Sequence, residues 1–289
     1  MSKKTKESRP NVINVTDFAH FVREVKELEC RYWVYRGHGK VDWRIEPSLA
    51  RFLRANGENI NCEGHNYTRE QDYIRRFQRS AHLHMQHCPE KKRDLSWLAV
   101  MQHFGAPTRL VDFSYSPYVA LFFAVADAAP NVPYGKKISG SELDKRFGPY
   151  EVHAVHLESV KAHAERVLRH EPADVDYHIG AASKQKKSFV SFFEGEWLNP
   201  RQVAQQGLFM VPSRIELNIH KILMSCRSYA HGSKSPWQIF RFKGGSGAYK
   251  EMVMSLLRAN LTAESLFPGL DGLARSLCFK WYEQRLNLP

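Results

Sequence analysis

An arginine beside a glycine can hold a phosphate, and a carboxylate and a hydroxyl held rigidly against a dry core can bind and polarise a polar substrate. This chain carries both pairings, as Arg36-Gly37 and as Asp112 with Ser114. The guanidinium is a planar fork of donors suited to phosphate oxygens, and glycine lets a ligand approach the main chain. Arg109 precedes Asp112 in the same stretch. If that stretch is a strand, alternation places Leu110, Asp112 and Ser114 on one face and Arg109, Val111 and Phe113 on the other, so Asp112 and Ser114 act together while Arg109 points elsewhere. An Arg and an Asp so spaced in a buried strand equally make a structural ion pair satisfied by backbone groups.

The elements that must position these residues lie in the stretch Leu98–Asp127. Gly105 and Pro107 end a helix, Thr108–Ser114 reads as a strand, and Ser116 with Pro117 gives an N-cap and a first-turn proline to the helix Tyr118–Ala126. That helix is apolar almost all round, as buried helices are, and clamps the strand into the core. Upstream, the aromatic and β-branched run Tyr32–Tyr35 predicts a strand ending at Arg36-Gly37. Gly37 and Gly39 permit a tight turn, and Trp43-Arg44-Ile45 reads as a return strand stopped at Pro47-Ser48. A surface hairpin with an incidental arginine has the same signature.

At 289 residues and 43% hydrophobic content the chain can fill one large domain or two small ones. No low-complexity linker divides it, so the expectation is a flexible basic arm over 1–10 and a single domain over 11–289. Further helices read at Thr16–Leu28, Thr68–Met85 behind a Thr-x-x-Gln capping box, Ser159–Arg169, Ile215–Met224, Ala248–Asn260 and Gly272–Arg285. Strands read at Glu151–Leu157, Gly207–Val211 and Gln238–Lys243, which makes the fold class α+β with helices around a strongly curved sheet. Polar insertions at Asn56–Asn66, Pro130–Pro149 and Glu171–Lys187 are placed to frame a cleft.

Lys and Arg number 42 against 30 acidic residues, a net charge of +12, and a field of that sign steers polyanions. The basic run Lys184–Lys187, containing Lys184, Lys186 and Lys187, is followed by Phe189, Phe192, Phe193 and Trp197, a basic segment with stacking surfaces; core-packing aromatics give the same pattern. The five cysteines are odd in number, widely spaced and free of a Cys-x-x-Cys pair, which predicts free thiols in a reducing cytosol and no metal site. His82, His84, His87 and Cys88 spread over different helix faces. No apolar run spans a bilayer and Met1–Pro10 has no signal-peptide core, so the expectation is a cytoplasmic protein without a membrane.

Several of these segments, taken together, are recognisable: Tyr35-Arg36-Gly37, Trp43 through Pro47-Ser48-Leu49, Gln102-His103, Pro107 through Phe113 and Ala120-Leu121-Phe122-Phe123-Ala124. So are Asn199-Pro200-Arg201 with Gln205-Gln206-Gly207-Leu208-Phe209, and Leu266 through Ala274. In this order they resemble the bacterial FRG-domain family, with Tyr35 in place of the phenylalanine that names it. The family in turn resembles the ADP-ribosyltransferase superfamily. That resemblance implies a split, bent sheet that holds NAD as a substrate, with polar groups on three separate strands. It assigns Arg36-Gly37 to the first position, Asp112–Ser114 to the second and Gln205-Gln206 to the third. Many transferases carry a catalytic glutamate at the third position, where this chain has a neutral amide.

The resulting expectations name Arg36, Asp112 and Gln206 as catalytic, with Gln206 preferred over Gln205. They name Tyr35, Arg36, Gly37, Trp43, Ser48, Arg109, Phe113 and Ser114 as NAD-binding, and Lys184, Lys186, Lys187, Glu194 and Arg201 as acceptor-binding. Cleavage of the nicotinamide–ribose bond needs an oxocarbenium-like centre stabilised by a carboxylate or fixed dipoles. Asp112 is the leading carboxylate, with Glu194 and Glu196 as alternatives on a loop. The expected function is an NAD-dependent ADP-ribosyltransferase, a toxin or antiphage effector modifying nucleic acid, RNA ahead of DNA, and held in check by an acidic antitoxin. A protein-directed transferase and a non-catalytic nucleotide or nucleic-acid binding module are the alternatives.

Overall fold

The computed structural model describes residues 10–28, 32–60, 63–129, 140–169, 187–195, 200–226 and 235–285. Along the chain run β1 (Asn11–Val15), α1 (Phe18–Lys26), β2 (Trp33–His38), α2 (Ser48–Ala55), α3 (Glu63–Ala81), α4 (Asp94–His103), β3 (Val111–Ser114), α5 (Pro117–Ala128) and α6 (Gly140–Arg146). There follow β4 (Tyr150–His156), α7 (Leu157–Leu168), β5 (Val190–Phe193), α8 (Pro200–Ala204), β6 (Gly207–Pro212), α9 (Ile219–Ser225), β7 (Trp237–Phe242), α10 (Ser246–Arg258), α11 (Ala263–Leu266) and α12 (Leu270–Arg285).

The strands form one open seven-stranded sheet in the order β1-β7-β4-β2-β3-β6-β5. Only β1 and β7 pair in parallel; the other neighbours are antiparallel. Helices α1, α5 and α10 cover one face, over Tyr35, Tyr150, Val152, Ala154, Phe240 and Phe242. On the other face Val160 of α7 and Ile219 and Leu223 of α9 pack on Val34, Val155 and Ile239. Strands that are apolar on both faces are what a sheet sandwiched between helices requires. The chain is therefore a mixed, α+β-type fold.

Helix α5 sits in the middle of the first face. Ser116 caps it by accepting from the Val119 amide at 3.3 Å, with Pro117 in its first turn, as the sequence predicts. A Cβ on Gly37 would overlap the Ala120 carbonyl and the Ala124 amide, and one on Gly39 would overlap the backbone of Asp127. These glycines therefore serve the close packing of α5 on β2 rather than the turn or ligand approach expected of them.

Other expectations shift. Strand β2 does not end at Arg36 but runs to His38, paired to β4 throughout. Trp43-Arg44-Ile45 is not a strand; Ile45 is 2% exposed and its amide donates to His220 Nε2 at 3.0 Å, so a side chain holds this segment instead of a ladder. The strand predicted from Thr108 begins at Val111, because Thr108 is tied to the start of α2: its amide donates to Ser48 Oγ at 3.0 Å and its carbonyl accepts from Leu49 N at 2.9 Å. Helix α3 opens at Glu63, inside the expected insertion Asn56–Asn66, and α6 lies within Pro130–Pro149. Residues 1–9 of the expected arm, 171–186 of the third insertion and the side chains of Cys30, Cys62 and Cys278 lie outside the described residues.

Candidate functional site

The sheet opens in its middle. β2 and β3 meet at one register position, Tyr35 opposite Ser114, whereas β2 pairs with β4 over its whole length and β3 pairs with β6 over four positions. Arg36 lies at the resulting gap. Its Nη1 donates to the Asp112 carbonyl at 2.7 Å and its Nε donates to His38 Nε2 at 3.1 Å. A cleft of about 250 Å³ opens there. Arg36, Asp112 and Ser114 line it from the strands, Gln102 and His103 from α4, Asp127 from α5, and Arg201 and Gln205 from α8 and the turn after it.

The cleft is polar and its groups are oriented. Gln102 donates from Nε2 to Asp112 Oδ1 at 2.8 Å while its Oε1 accepts from Thr108 Oγ1, which fixes the amide and hence the carboxylate. Arg201 lies with its guanidinium carbon 4.6 Å from the centre of the Phe267 ring, a cation–π contact that leaves its donors for the cleft. Asp127 makes no hydrogen bond or ion pair among the described residues. Although Asp127 is exposed, partial desolvation where it lines the cleft pushes its carboxyl above the ordinary carboxylate range, against the pull of the Arg36 and Arg275 guanidinium groups. Burial also lowers His103, reinforced by Arg201 and opposed by Asp271, so its ring favours the neutral form.

A buried polar band runs from the gap across β2, β4 and β7. His38 accepts from Arg36; its ring lies 4.6 Å from that of His153, whose Nδ1 accepts from Trp237 Nε1 at 3.2 Å. Glu151 beside it takes Arg241 at 2.6 and 2.7 Å. Burial pushes both histidines far below their ordinary value, so they stay neutral, and His38 Nε2 is a fixed acceptor for Arg36.

Of the residues expected to bind NAD, Tyr35, Arg36, Gly37, Phe113 and Ser114 border the cleft, but the rings of Tyr35 and Phe113 belong to the two cores. Ser114 Oγ donates to the Gln205 carbonyl at 2.7 Å and accepts from Ser116 N at 3.0 Å, so it secures the turn before β6. Arg109 requires correction. It is 1% exposed, paired with Glu70 through Nε at 2.8 and 2.9 Å and bonded to the Ser213 carbonyl at 3.1 Å, the structural ion pair weighed above with a glutamate from α3 in the role of the acid. Ser48 holds Thr108, and Trp43 packs edge-on against His38 outside the cleft. The preference for Gln206 is also reversed. Both glutamines precede β6; Gln206 is exposed with φ +46°, whereas Gln205 lines the cleft and donates to the Leu266 carbonyl at 3.0 Å.

Among the acceptor-side residues, Arg201 lines the cleft. Glu194 accepts from the Tyr115 hydroxyl, and Lys187 reaches the Leu168 carbonyl at 3.3 Å. Phe189 is core, while Lys184, Lys186, Glu196 and Trp197 lie outside the described residues. The residue that sequence reading missed is Asp127. Its signal was present: Ala120, Phe123 and Asp127 share one helix face, and Asp127 is the charged residue of an otherwise apolar helix.

Against known proteins, the family model of the FRG domain matches residues 31–132. That range carries Arg36, Gln102, His103, Asp112 and Asp127 and stops short of Arg201 and Gln205. No curated protein and no solved structure matches the chain.

Proposed function

The chain is an FRG-domain protein, and from that premise we propose that it is an NAD-consuming ADP-ribosyltransferase whose chemistry takes place in the cleft between β2 and β3. The observation that carries this reading is the meeting of two guanidinium groups, Arg36 and Arg201, with two carboxylates, Asp112 and Asp127, in one cleft at a break in the sheet. Two arginines suit a pyrophosphate, and a carboxylate suits the cationic ribose centre that forms when nicotinamide leaves. At about 250 Å³ the cleft is a little smaller than ligand pockets usually are, so it suits one nucleoside and its phosphate, with the rest of NAD along the mouth.

The reaction breaks the bond between ribose C1′ and the nicotinamide nitrogen, and nicotinamide departs with the bonding pair. An acceptor nitrogen or oxygen bonds to C1′ from the opposite face and gives its proton to a base. Asp112, held by Gln102, stabilises the cationic centre. Asp127 has a lone carboxylate with a raised proton affinity and serves as the base. Gln205, a neutral amide, holds a ribose hydroxyl.

The net charge of +12 supports a nucleic acid as acceptor, RNA ahead of DNA because unpaired bases stand free of a duplex. We assign the chain the role of a cytoplasmic toxin or antiphage effector neutralised by an acidic partner. Among the described residues no helix is long and apolar enough to cross a membrane. The neutral amide at the third position favours a second reading, a nucleotide-binding module without turnover. One experiment separates them: the protein is incubated with NAD labelled in the adenylate phosphate and with cellular RNA, DNA and protein, then digested with nuclease or protease. Nuclease-sensitive label that disappears in Arg36→Ala supports the proposal. Label in protein moves the acceptor, and neither label nor nicotinamide release leaves the binding module.

A further inference from the structure

On the far side of α4 from the cleft lies a second, larger cavity of about 670 Å³. Its walls are apolar: Phe52 of α2, Tyr73 and Phe77 of α3, Met101 of α4, and Met85 and Phe104 just beyond the helix ends. Phe52 is 44% and Phe104 66% exposed, and nearby Leu83 is 71% exposed, so the surface leaves several large apolar side chains in water in one place.

The walls say what kind of chain fits. Helices and the Ala106-Pro107 turn build the groove, and among the described residues no strand lines it. An extended peptide seated there would bury backbone N–H and C=O groups without partners, whereas a helix satisfies its own. Helix-in-groove docking is the mode that such walls admit. The rim gives the sign of charge. Arg76 and His84 line the groove, Arg79 lies one turn beyond Arg76, and neither arginine makes an ion pair among the described residues. Of the acids of α3 whose side chains are described, Glu70 is engaged by Arg109 and Asp72 by Arg75. Among the described residues no acidic side chain lines the cavity.

We propose that the groove between α2, α3 and α4 is the docking site for one amphipathic α-helix of a partner protein, apolar on the inserted face and acidic on its flanks. The site is distinct from the cleft but shares α4 with it. Met101 faces the groove, and Ala99, Gln102 and His103 face the cleft, so an occupant presses on the helix that holds the Asp112 carboxylate. The inference does not depend on the reaction assigned to the cleft, because its test is binding.

The probe is a pair of fluorescent, helix-stapled peptides with the same Leu/Phe face, one with glutamate and one with lysine at the polar positions, titrated into the full chain and followed by anisotropy. The acidic peptide is expected to bind at least about tenfold more tightly than the basic one, and to weaken by a similar factor as salt is raised. Phe104→Asp and Phe52→Asp, both at exposed positions, are expected to weaken it by about tenfold or more, and Arg76→Glu with Arg79→Glu to abolish the preference for acid. Equal binding of the two peptides, no binding, or binding indifferent to Phe104→Asp overturns the proposal. Concentration-dependent dimerisation lost in Phe104→Asp also overturns it, by giving the groove to a second copy of this chain.

Discussion

Arg36 donates from Nη1 to the carbonyl of Asp112 at 2.7 Å, across a strand pair whose ladder is reduced to Tyr35 and Ser114. One side chain thus does the bridging that main-chain hydrogen bonds do elsewhere in the sheet, and it does so at the floor of the cleft. Substitution should affect two properties together. Arg36→Ala is expected to cost about 2 kcal/mol of unfolding free energy, the scale of one charge-assisted hydrogen bond, and to lower nicotinamide release by about a hundredfold or more. Arg36→Lys should recover part of the stability and little of the turnover, since an ammonium lacks the fork. Urea unfolding beside a nicotinamide assay tests both; unchanged turnover in Arg36→Ala would remove the cleft from the reaction.

Asp127 and stability should oppose each other. Its carboxyl is raised by partial desolvation, so in the folded protein it holds a proton at a pH where the unfolded chain has lost it. The contribution favours folding below the unfolded value of about 3.9 and is lost as pH rises through the folded value. Asp127→Asn is therefore expected to raise the melting temperature at neutral pH, with the gain fading in acid. The proposed reaction uses Asp127 ionised, as its base, and therefore predicts that wild-type turnover falls on an acid limb above the ordinary carboxylate range and that Asp127→Asn loses turnover. A variant that retains full turnover with an unaltered limb would exclude Asp127 as base.

The buried histidines make the fold acid-sensitive. His153, pushed down to about 3 by burial first and then by His220, Arg36 and Arg241, and His38, lowered by burial and then by Arg36, are neutral when folded. In the unfolded chain they accept protons near the ordinary value of about 6.5. Their contribution is full above that value and declines as pH falls below it, by up to about 1.4 kcal/mol per pH unit for each ring. Glu151, whose carboxyl burial raises against the pull of Arg241, acts in the opposite sense at lower pH. Urea unfolding from neutral pH downward should show the decline, and His38→Gln with His153→Gln should flatten it; an unchanged slope would mean that other groups set the acid limit.

Arg109 and Glu70 should behave as one buried unit. Arg109→Met leaves a carboxylate that is 1% exposed without its partner and is expected to cost about 3–5 kcal/mol. Adding Glu70→Leu should restore most of the loss, because removing both charges is far cheaper than removing one. An additive double variant, measured by denaturant unfolding, would count against this pairing.

Much of this molecule could be read from residue order, and what could not has physical causes. Ser116-Pro117 at the start of α5, and the core strands β4, β6 and β7, follow from local capping and apolar patterning that tertiary packing then respects. The identity of Arg109's partner could not be read, because Glu70 comes from a helix 39 positions earlier and nothing local marks the pair. The role of Gly37 was misread for a related reason. A glycine that admits a ligand and one that admits a helix look alike in sequence, and only the proximity of Ala120 and Ala124 separates them. The resemblance places Gln205 and Gln206 together at the third position, but both lie in the turn before β6, and only the fold shows that Gln205 is the one that faces the cleft.

The parallel pair at the sheet edge bears on the order of assembly. Asn11–Val15 finds its partner in Gln238–Phe242, so the first strand described stays unpaired until the last one described has been made. The strands bordering the cleft, β2, β3 and β6, are by then all available, and β7 arrives last as the template on which β1 closes. Contacts of such sequence separation form slowly. Among the described strands β1 is thus the first made and the last secured, and a bulky group attached beside it would burden the closing step of folding before it touched the cleft.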